Sequence, residues 1–240
     1  MSGHSKWAQI KRSKGAKDAK KGVLFSKLSK KISIAAKAGD SPDPNLNFQL
    51  RTEIEKAKAE GMPNENIERA AKKAFGTDTL QITEGIYEAY GPFGTAFLIE
   101  TASDNTNRVL GNIKKILSKH NGNLGSQGSV SWQFLTLGQI LLECETGNRD
   151  ALVLAAIDSG AEDVKNAEDG IEVYTSPTEL VPITQKFDEL GAKIVSSEII
   201  KVATHPVNLT SEQREKIESL LTELNDDEDT ISVHTSANLS

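Results

Sequence analysis

Apolar residues recur every three or four positions through the first third of the chain, which is the period of an amphipathic α-helix. Three stripes of this kind are separated by turn residues at 40–44 and at Gly61. Asn64 is expected to cap the third helix, and Gly76 to end it. Three short helices joined by tight turns predict a small helical domain over residues 1–76. The stripes are Phe25, Leu28, Ile32, Ala35 and Ala36; Leu46, Leu50, Ile54 and Ala57; and Ile67, Ala70, Ala71, Ala74 and Phe75.

Beyond residue 81 the pattern becomes that of strands, turns and one longer helix. Apolar and acidic residues over 82–90 predict a strand, in which Ile82, Ile86 and Tyr90 are expected to alternate with Glu84 and Glu88. A Gly-Pro-Phe-Gly turn then leads into a second strand over 95–101. A helix is expected to start within 104–107, and a glycine-rich loop over 122–128 to precede another strand. The apolar positions of that helix and that strand are Val109, Ile113, Ile116 and Leu117, then Val130, Trp132 and Phe134.

From residue 137 the predicted order is strand, helix, strand, strand, helix, strand, which is the split ferredoxin-like unit. The helix predicted at 211–224 and the strand at 230–235 have no sheet of their own, so they are expected to return to the domain begun at Ile82. The fold class is therefore predicted as α+β. An N-terminal three-helix domain (1–76) is followed by two α/β sandwich domains, one a ferredoxin-like βαββαβ unit (136–203) inserted in the other (77–135 plus 204–240).

The composition is that of an ordinary soluble protein, with 37% apolar and 26% charged residues. No apolar run approaches the ~18 residues that a membrane span requires. The basic start of the chain leads to more lysine rather than to the apolar segment of a secretory signal. Cys144 is the single cysteine, which fits a reducing compartment.

The charges are segregated along the chain. The chain as a whole carries −6, whereas residues 1–38 hold ten lysines and Arg12 against one acid, Asp18. This segment is therefore about +10, and the remainder is −16. A cationic block on an acidic protein is typical of a surface for a polyanion. The alternative is a solubilising or disordered arm, since runs of charge are usually solvated.

The arrangement of the lysines favours binding. Residues 6–21 have only Trp7 and Ile10 as sizeable apolar side chains, so this arm is expected to stay mobile until it meets a partner. It runs into the first predicted helix, where lysines project from the face opposite the apolar stripe. The predicted nucleic-acid-binding residues are Lys6, Lys11, Arg12, Lys14, Lys17, Lys20, Lys21, Lys27, Lys30 and Lys31.

The sequence contains no arrangement typical of a catalytic or metal site. The four histidines are scattered, and a single cysteine cannot build a thiolate zinc site, so neither a metal nor a cofactor is expected. The glycine-rich loop fits neither the dinucleotide nor the P-loop fingerprint and is interpreted as conformational. The acidic run 226–229 is either a solvated loop or, less simply, a cation site, and its contact with the basic arm is left open.

A series of short motifs runs along the chain: Gly3-His4-Ser5-Lys6-Trp7, Ile10-Lys11, Lys17-Asp18-Ala19-Lys20, Phe25-Ser26-Lys27-Leu28, Met62-Pro63, Asn66-Ile67-Glu68-Arg69-Ala70, Tyr90-Gly91-Pro92, Asp104-Asn105, Asn107-Arg108, Gly122-Asn123-Leu124-Gly125 and Gly128-Ser129-Val130. Together these motifs resemble the YebC/PmpR family, which includes the mitochondrial translational activators of cytochrome oxidase. The resemblance covers nearly the whole chain in the same order, with Phe93 standing where the family usually has glycine and Thr106 where it often has arginine. Because the signature begins at Gly3, a bacterial cytoplasmic member is favoured over an organellar precursor.

The resemblance implies a three-domain α/β protein without catalytic activity. It implies a DNA-binding transcriptional regulator, a ribosome-associated translation factor that relieves stalling, or a protein that is both. A helix bearing mainly lysine contacts phosphate rather than base edges, which favours backbone recognition and mildly favours RNA or the ribosome. Two alternatives remain: a small-molecule sensor that dimerises through its ferredoxin-like domain, and a metal-dependent nuclease. A monomer or weak dimer with no membrane partner is expected.

Overall fold

The computed structural model describes residues 21–75, 82–144 and 146–239. These residues form two compact units. One takes in the described residues up to Phe134 and again from Ala203, and the other is Leu135–Val202. The placing of domain boundaries at 76, 135 and 203 stays a prediction.

The helices and the longer strands follow one another in the order that the hydrophobic pattern predicts, whereas the two-residue strands β3, β8 and β10 were not predicted. The described helices are α1 (Lys21–Ala38), α2 (Phe48–Ala59), α3 (Asn64–Lys73), α4 (Thr106–Lys119), α5 (Arg149–Asp158), α6 (Leu180–Glu189) and α7 (Ser211–Asp226). The strands are β1 (Thr83–Tyr90), β2 (Ala96–Ser103), β3 (Asn123–Leu124), β4 (Phe134–Glu143), β5 (Asp163–Ala167), β6 (Gly170–Thr175), β7 (Lys193–Ala203), β8 (Val207–Asn208), β9 (Thr230–Thr235) and β10 (Ala237–Asn238). The structure confirms the α+β class, with an N-terminal three-helix domain and an inserted ferredoxin-like unit.

The helices α1, α2 and α3 share one apolar core, as their stripes predict. Leu28, Ile32 and Ala36 of α1 are buried against Leu50 of α2 and Ile67 of α3. This burial confirms that α1 is amphipathic, with one face in the core and the lysines elsewhere.

Three expectations at the helix ends were wrong. Leu46 lies before α2 and is 78% exposed, because the helix begins only at Phe48, after its cap Asn47. Asn64 is the first helical residue rather than the cap, and the preceding Pro63 takes the cap position without a side-chain bond. Phe75 is 43% exposed, because α3 ends at Lys73.

The central domain is a four-stranded sheet in the order β3-β1-β2-β9. Its strands are antiparallel, and Phe97 of β2 lies opposite Thr235 of β9. The helices α4 and α7 supply Ile113, Leu117 and Leu220 to the core of this domain, together with Phe97 and Ile99 of β2. The pairing of β9 with β2 confirms that the chain returns to this sheet after the inserted unit.

The orientation predicted for β1 was wrong. The five residues chosen to alternate all occupy even positions, so they share one face of the strand. Ile86 and Tyr90 on that face are 56% and 45% exposed, whereas Glu88 is 6% exposed. The core is reached from the other face, by Ala89 and the half-buried Tyr87.

The segment predicted as a strand containing Val130, Trp132 and Phe134 was also misassigned. Residues Ser131–Gln133 form a 3₁₀ turn, and the strand begins at Phe134. Val130 and Phe134 are buried against Ala96 and Leu98 on the outer face of β2. Trp132, between these two anchors, is 72% exposed.

The backbone conformation at Phe93 is one that favours glycine, the residue usual at this position in the family that the sequence resembles. Phe93 adopts φ 63°, in the left-handed region that favours glycine, at the turn between β1 and β2. The ring packs over the Lys216 ammonium, with its centroid 6.0 Å from the nitrogen.

The inserted unit has the sheet order β5-β6-β4-β7, which is that of a ferredoxin-like βαββαβ fold. One face carries α5 and α6 over a core that includes Ile140, Val173, Ile183 and Phe187. Cys144 is half-buried and packs against this core.

Candidate nucleic-acid interface

The ten residues predicted to bind nucleic acid divide into two groups. Six of them precede Lys21 and lie outside the described residues: Lys6, Lys11, Arg12, Lys14, Lys17 and Lys20. The remaining four, Lys21, Lys27, Lys30 and Lys31, are all on α1. The structure therefore bears only on this second group.

Two of the α1 lysines are engaged with the protein's own acidic segment at the end of α7. Lys27 and Lys30 are three positions apart and so share a helix face. Lys27 Nζ donates to the carbonyl oxygen of Asn225. Lys30 Nζ donates to the carbonyl oxygen of Glu228 at 2.8 Å and to Asp229 Oδ1 at 2.7 Å. These contacts hold α1 against the central domain.

The acceptor of this contact, Asp229, is completely buried and lies between two cations. Arg108 Nε donates to Asp229 Oδ2 at 2.9 Å, and Arg108 Nη2 donates to Asp229 Oδ1 at 3.1 Å. Burial alone raises the pKa of Asp229, but the hydrogen bonds from Arg108 and Lys30 outweigh it and hold that pKa below the usual aspartate value. The residue is therefore a carboxylate that joins α1 to α4.

The acidic segment 226–229 is organised by further hydrogen bonds. Asp227 Oδ1 accepts from the Asp229 amide at 3.0 Å, and its Oδ2 accepts from Asn112 Nδ2 at 2.9 Å. Among the described residues there is no group of three or more histidine, cysteine or acidic side chains that could hold a metal ion. The segment contacts the basic helix through Asp229 and the Glu228 carbonyl oxygen, while the side chains of Asp226 and Glu228 are exposed.

Lys27 is in a less favourable environment than Lys30. Burial lowers the pKa of Lys27 to about 8, against the attraction of Asp227 and Asp226, which raises it. Its hydrogen bond is to a neutral carbonyl group rather than to a carboxylate. Part of the cationic face of α1 thus serves the protein's own packing.

Two further α1 lysines, Lys31 and Lys37, differ from Lys27 and Lys30 in their surroundings. Lys37 is exposed and Lys31 is half-buried, and within the described part of the chain neither forms an ion pair. They are the α1 lysines best placed to meet an external anion.

A cleft of about 590 Å³ runs between α1 and α3 and reaches the acidic segment. Its walls carry four cationic side chains, several hydroxyl and amide groups, and two acids, Asp104 and Glu228. Two cations are paired with Asp229, and Arg69 pairs with Glu65 at 2.6 Å. Lys73 has no ion-pair partner among the described residues. The cationic side chains are Lys30, Arg69, Lys73 and Arg108.

Arg69, Lys73 and Arg108 were not among the predicted site residues. Arg69 and Lys73 lie four positions apart on α3, a spacing that the sequence does show. Arg108 joins the cleft through contacts with Asp229, 121 positions away, which no local pattern reveals.

The glycine-rich loop already holds an anion, the carboxylate of Glu88. Its oxygens accept from the backbone amides of Gly128 at 2.6 Å, Val130 at 2.7 Å and Ser131 at 2.8 Å. Burial alone raises the pKa of Glu88, and these donors lower it below the usual glutamate value. The three amides are therefore not available to phosphate, in agreement with the conformational interpretation of the loop.

No helix in the described part of the chain is long and apolar enough to cross a membrane.

Known protein families and individual proteins match nearly the whole length of this chain. The profile of the TACO1/YebC N-terminal domain matches residues 5–77, and that of the TACO1/YebC second and third domain matches residues 82–237. A probable transcriptional regulatory protein of Thermoanaerobacter pseudethanolicus is 43% identical over 236 residues, covering 98% of this chain and 96% of that protein. One from Desulfosudis oleivorans is 44% identical over 241 positions, covering 100% and 98%. The crystal structure of a conserved hypothetical protein of Aquifex aeolicus, Aq1575, superposes with a TM-score of 0.85 at 38% identity, covering 97% and 96%.

Proposed function

Because the chain belongs to the TACO1/YebC family, as the matches over residues 5–77 and 82–237 establish, we propose that it is a non-enzymatic, nucleic-acid-binding regulatory protein. The relatives named probable transcriptional regulatory proteins support the regulatory role and imply a nucleic-acid partner. The observation that carries the proposal is the segregation of charge, with about +10 on residues 1–38 of a chain whose total is −6. Such a block neutralises phosphates and releases counterions.

The cationic residues are divided between binding and positioning. The arm residues Lys6 to Lys20, together with Lys31 and Lys37 of α1, bind the phosphate backbone. Lys27 and Lys30 instead fasten α1 to the segment 225–229. The α1–α3 cleft, with Lys73 on its wall, extends the binding surface beside the arm.

The finer proposal concerns the nucleic acid that is bound. Lysine ammonium groups contact phosphates as point charges and carry no sequence information. The described face of α1 presents lysines where a base-reading helix presents arginine, asparagine or glutamine. We therefore favour recognition of RNA shape, on the ribosome, over recognition of one operator. An operator reader would bind its own duplex at least ~10³-fold more tightly than other duplexes at physiological salt.

The experiment compares two variants with equal changes in charge. Lys31→Glu/Lys37→Glu alters two α1 lysines that form no ion pair within the described part of the chain, and Lys114→Glu/Lys115→Glu alters exposed lysines of α4. For duplex binding, log affinity against log salt is expected to flatten by about 1.8 in the first variant, since each phosphate contact contributes about 0.9. The second variant loses affinity only through its net charge. Equal slopes in the two variants would contradict the assignment to α1.

Deletion of residues 1–20 tests the arm and retains the α1 residues Leu28 and Ile32, which pack in the helical core. Deletion is expected to weaken binding to every sequence alike and to reduce co-sedimentation with ribosomal particles. Selective loss of one duplex, with the ribosomal association intact, would instead favour the operator reader.

A second candidate is the small-molecule sensor that dimerises through its ferredoxin-like domain. Leu154 and Ile157, one helical turn apart on α5, are 60% and 59% exposed, and exposed apolar pairs of this kind favour an interface. Sedimentation equilibrium of the protein and of Leu154→Ser/Ile157→Ser tests this candidate. A wild-type dimer that the variant loses would support it, and a monomer at every concentration would rule it out.

A further inference from the structure

Two aromatic side chains of the central domain are exposed side by side. Trp132 is 72% exposed, and Tyr90 is 45% exposed. Trp132 Nε1 and Tyr90 Oη both donate to the carbonyl oxygen of Ser129, each at 3.1 Å. The shared acceptor brings the two rings to one place and turns their polar atoms toward the protein. Their apolar surfaces are left for another molecule.

The backbone that carries Trp132 is anchored on both sides. Val130 and Phe134 are buried on the outer face of β2. The Glu88 carboxylate binds the amides of Gly128, Val130 and Ser131, and Gly128 takes φ 82° to make the turn. An exposed tryptophan on so constrained a segment keeps its orientation in the free protein, so little entropy is lost when a flat ligand stacks on it.

The surroundings of the two rings fit a nucleobase better than an apolar protein surface. Ser126, Gln127 and Ser131, which flank the rings in the loop, are exposed polar residues. A stable protein interface needs about 800 Å² from each partner, with an apolar centre. Aromatic rings with polar neighbours are the usual stacking surface for unpaired bases, which duplex nucleic acid does not offer.

We propose that Trp132 and Tyr90 form a stacking site for the unpaired bases of single-stranded nucleic acid. This inference rests on the proposed function and deepens it, because it specifies single-stranded segments as the ligand. The site is separate from the lysines of α1. Tyr90 lies at the end of β1 that pairs with Ala96, whereas Asp229, which holds Lys30, accepts from Ala102 near the other end of β2. Substitutions at the two places should therefore act independently.

Tryptophan fluorescence gives a direct readout. The chain has two tryptophans, so Trp7→Phe leaves Trp132 as the single emitter. In that background, a single-stranded oligouridylate is expected to quench the emission, and a duplex of equal length is expected to leave it nearly unchanged. Absence of quenching at an oligouridylate concentration that saturates binding would overturn the proposal.

Affinity measurements separate stacking from charge. Trp132→Ala is expected to weaken single-strand binding about fivefold to a hundredfold, with duplex affinity within twofold and an unchanged salt slope. Trp132→Phe keeps a stacking ring without the bond to Ser129 and is expected to retain most of the affinity, which excludes misfolding as the cause. Leu46→Ala, at a side chain 78% exposed in the helical domain, is the control.

The outcomes distinguish this site from the proposed function. If Trp132→Ala binds single strands normally while deletion of residues 1–20 abolishes binding, the stacking site is wrong and nucleic-acid binding stands. If Trp132→Ala binds free RNA normally but no longer co-sediments with ribosomal particles, the aromatic pair contacts protein, and the proposal is overturned. If the unmodified protein binds neither single strands nor duplexes, both proposals fail.

Discussion

Replacing Asp229 with asparagine removes the charge that joins α1 to the central domain while nearly preserving the side-chain shape. Asp229 is fully buried and accepts three charged hydrogen bonds, from Lys30 at 2.7 Å and from Arg108 at 2.9 and 3.1 Å. A hydrogen bond to a charged group contributes about 1.5–3 kcal/mol. Asparagine retains one acceptor oxygen and turns its NH₂ group toward a cationic donor, so at least one of these bonds is lost.

We expect Asp229→Asn to lower the free energy of unfolding by about 3 kcal/mol. For a chain of this size, that corresponds to a fall in Tm of roughly 6–12 °C. Scanning calorimetry at pH 7 measures the shift. Glu228→Gln is the matched control, because it removes one negative charge from the same loop at an exposed side chain. The control is expected to stay within about 0.5 kcal/mol of the wild type.

The pH dependence gives an independent check. Because the folded pKa of Asp229 is depressed, its contribution is present above the unfolded aspartate pKa and is lost as the pH falls through the folded value. The difference in stability between wild type and Asp229→Asn should therefore narrow toward low pH. A double-mutant cycle with Lys30→Met should give a coupling energy of at least ~1 kcal/mol. If Asp229→Asn is as mild as Glu228→Gln, the carboxylate does not hold α1 in place.

Three further substitutions test the local environments. Burial lowers the pKa of Lys27, so the unfolded chain binds more protons between pH about 8 and 10.5, and we expect the wild type to gain stability across that window in denaturant titrations. Lys27→Met should remove this gain, and a pH profile unchanged by the substitution would contradict this. Glu88→Gln should cost about 2–3 kcal/mol by denaturant unfolding, because its NH₂ group meets backbone donors, and amide exchange at Val130 and Ser131 should quicken. Phe93→Gly should stabilise the protein by about 0.5–1 kcal/mol in calorimetry, since left-handed strain exceeds the entropy cost of glycine; a loss of stability would show that the Phe93 ring contributes more.

The helical elements could be predicted because their burial has a period that the sequence displays. Val109, Ile113, Ile116 and Leu117 were expected to be the buried face of α4, and the structure buries all four. For α1 the same reasoning identified Leu28 and Ile32. The spacing of apolar residues is enough to predict which side chains are buried wherever an element buries one face against its sequence neighbours.

The errors arose where a distant segment decides what a face contacts. Glu88 is buried because residues 128–131 wrap its carboxylate, 40 or more positions along the chain. The outer face of β2 is covered by Val130 and Phe134, so apolar residues there do not mark the helix-bearing side. The sequence also could not show the intramolecular partners of Lys27 and Lys30, which follow 198 or more positions later; that these two lysines bind nucleic acid stays a prediction.

Whether Lys30 positions α1 or binds phosphate can be decided from the salt dependence of Asp229→Asn. In the wild type, three features keep the Lys30 ammonium from reaching a phosphate. It donates to a carboxylate and to a carbonyl oxygen, and the side chain is only 16% exposed. We expect it to remain turned inward when Asp229 loses its charge, because the Glu228 carbonyl remains. The slope of log affinity against log salt for a duplex should then match the wild type, even though the variant is less stable. Lys31→Glu/Lys37→Glu measured in parallel should flatten that slope. A slope steeper by about 0.9 in Asp229→Asn would mean that one further lysine contacts a phosphate. Lys30 would then be assigned to the nucleic-acid-binding surface.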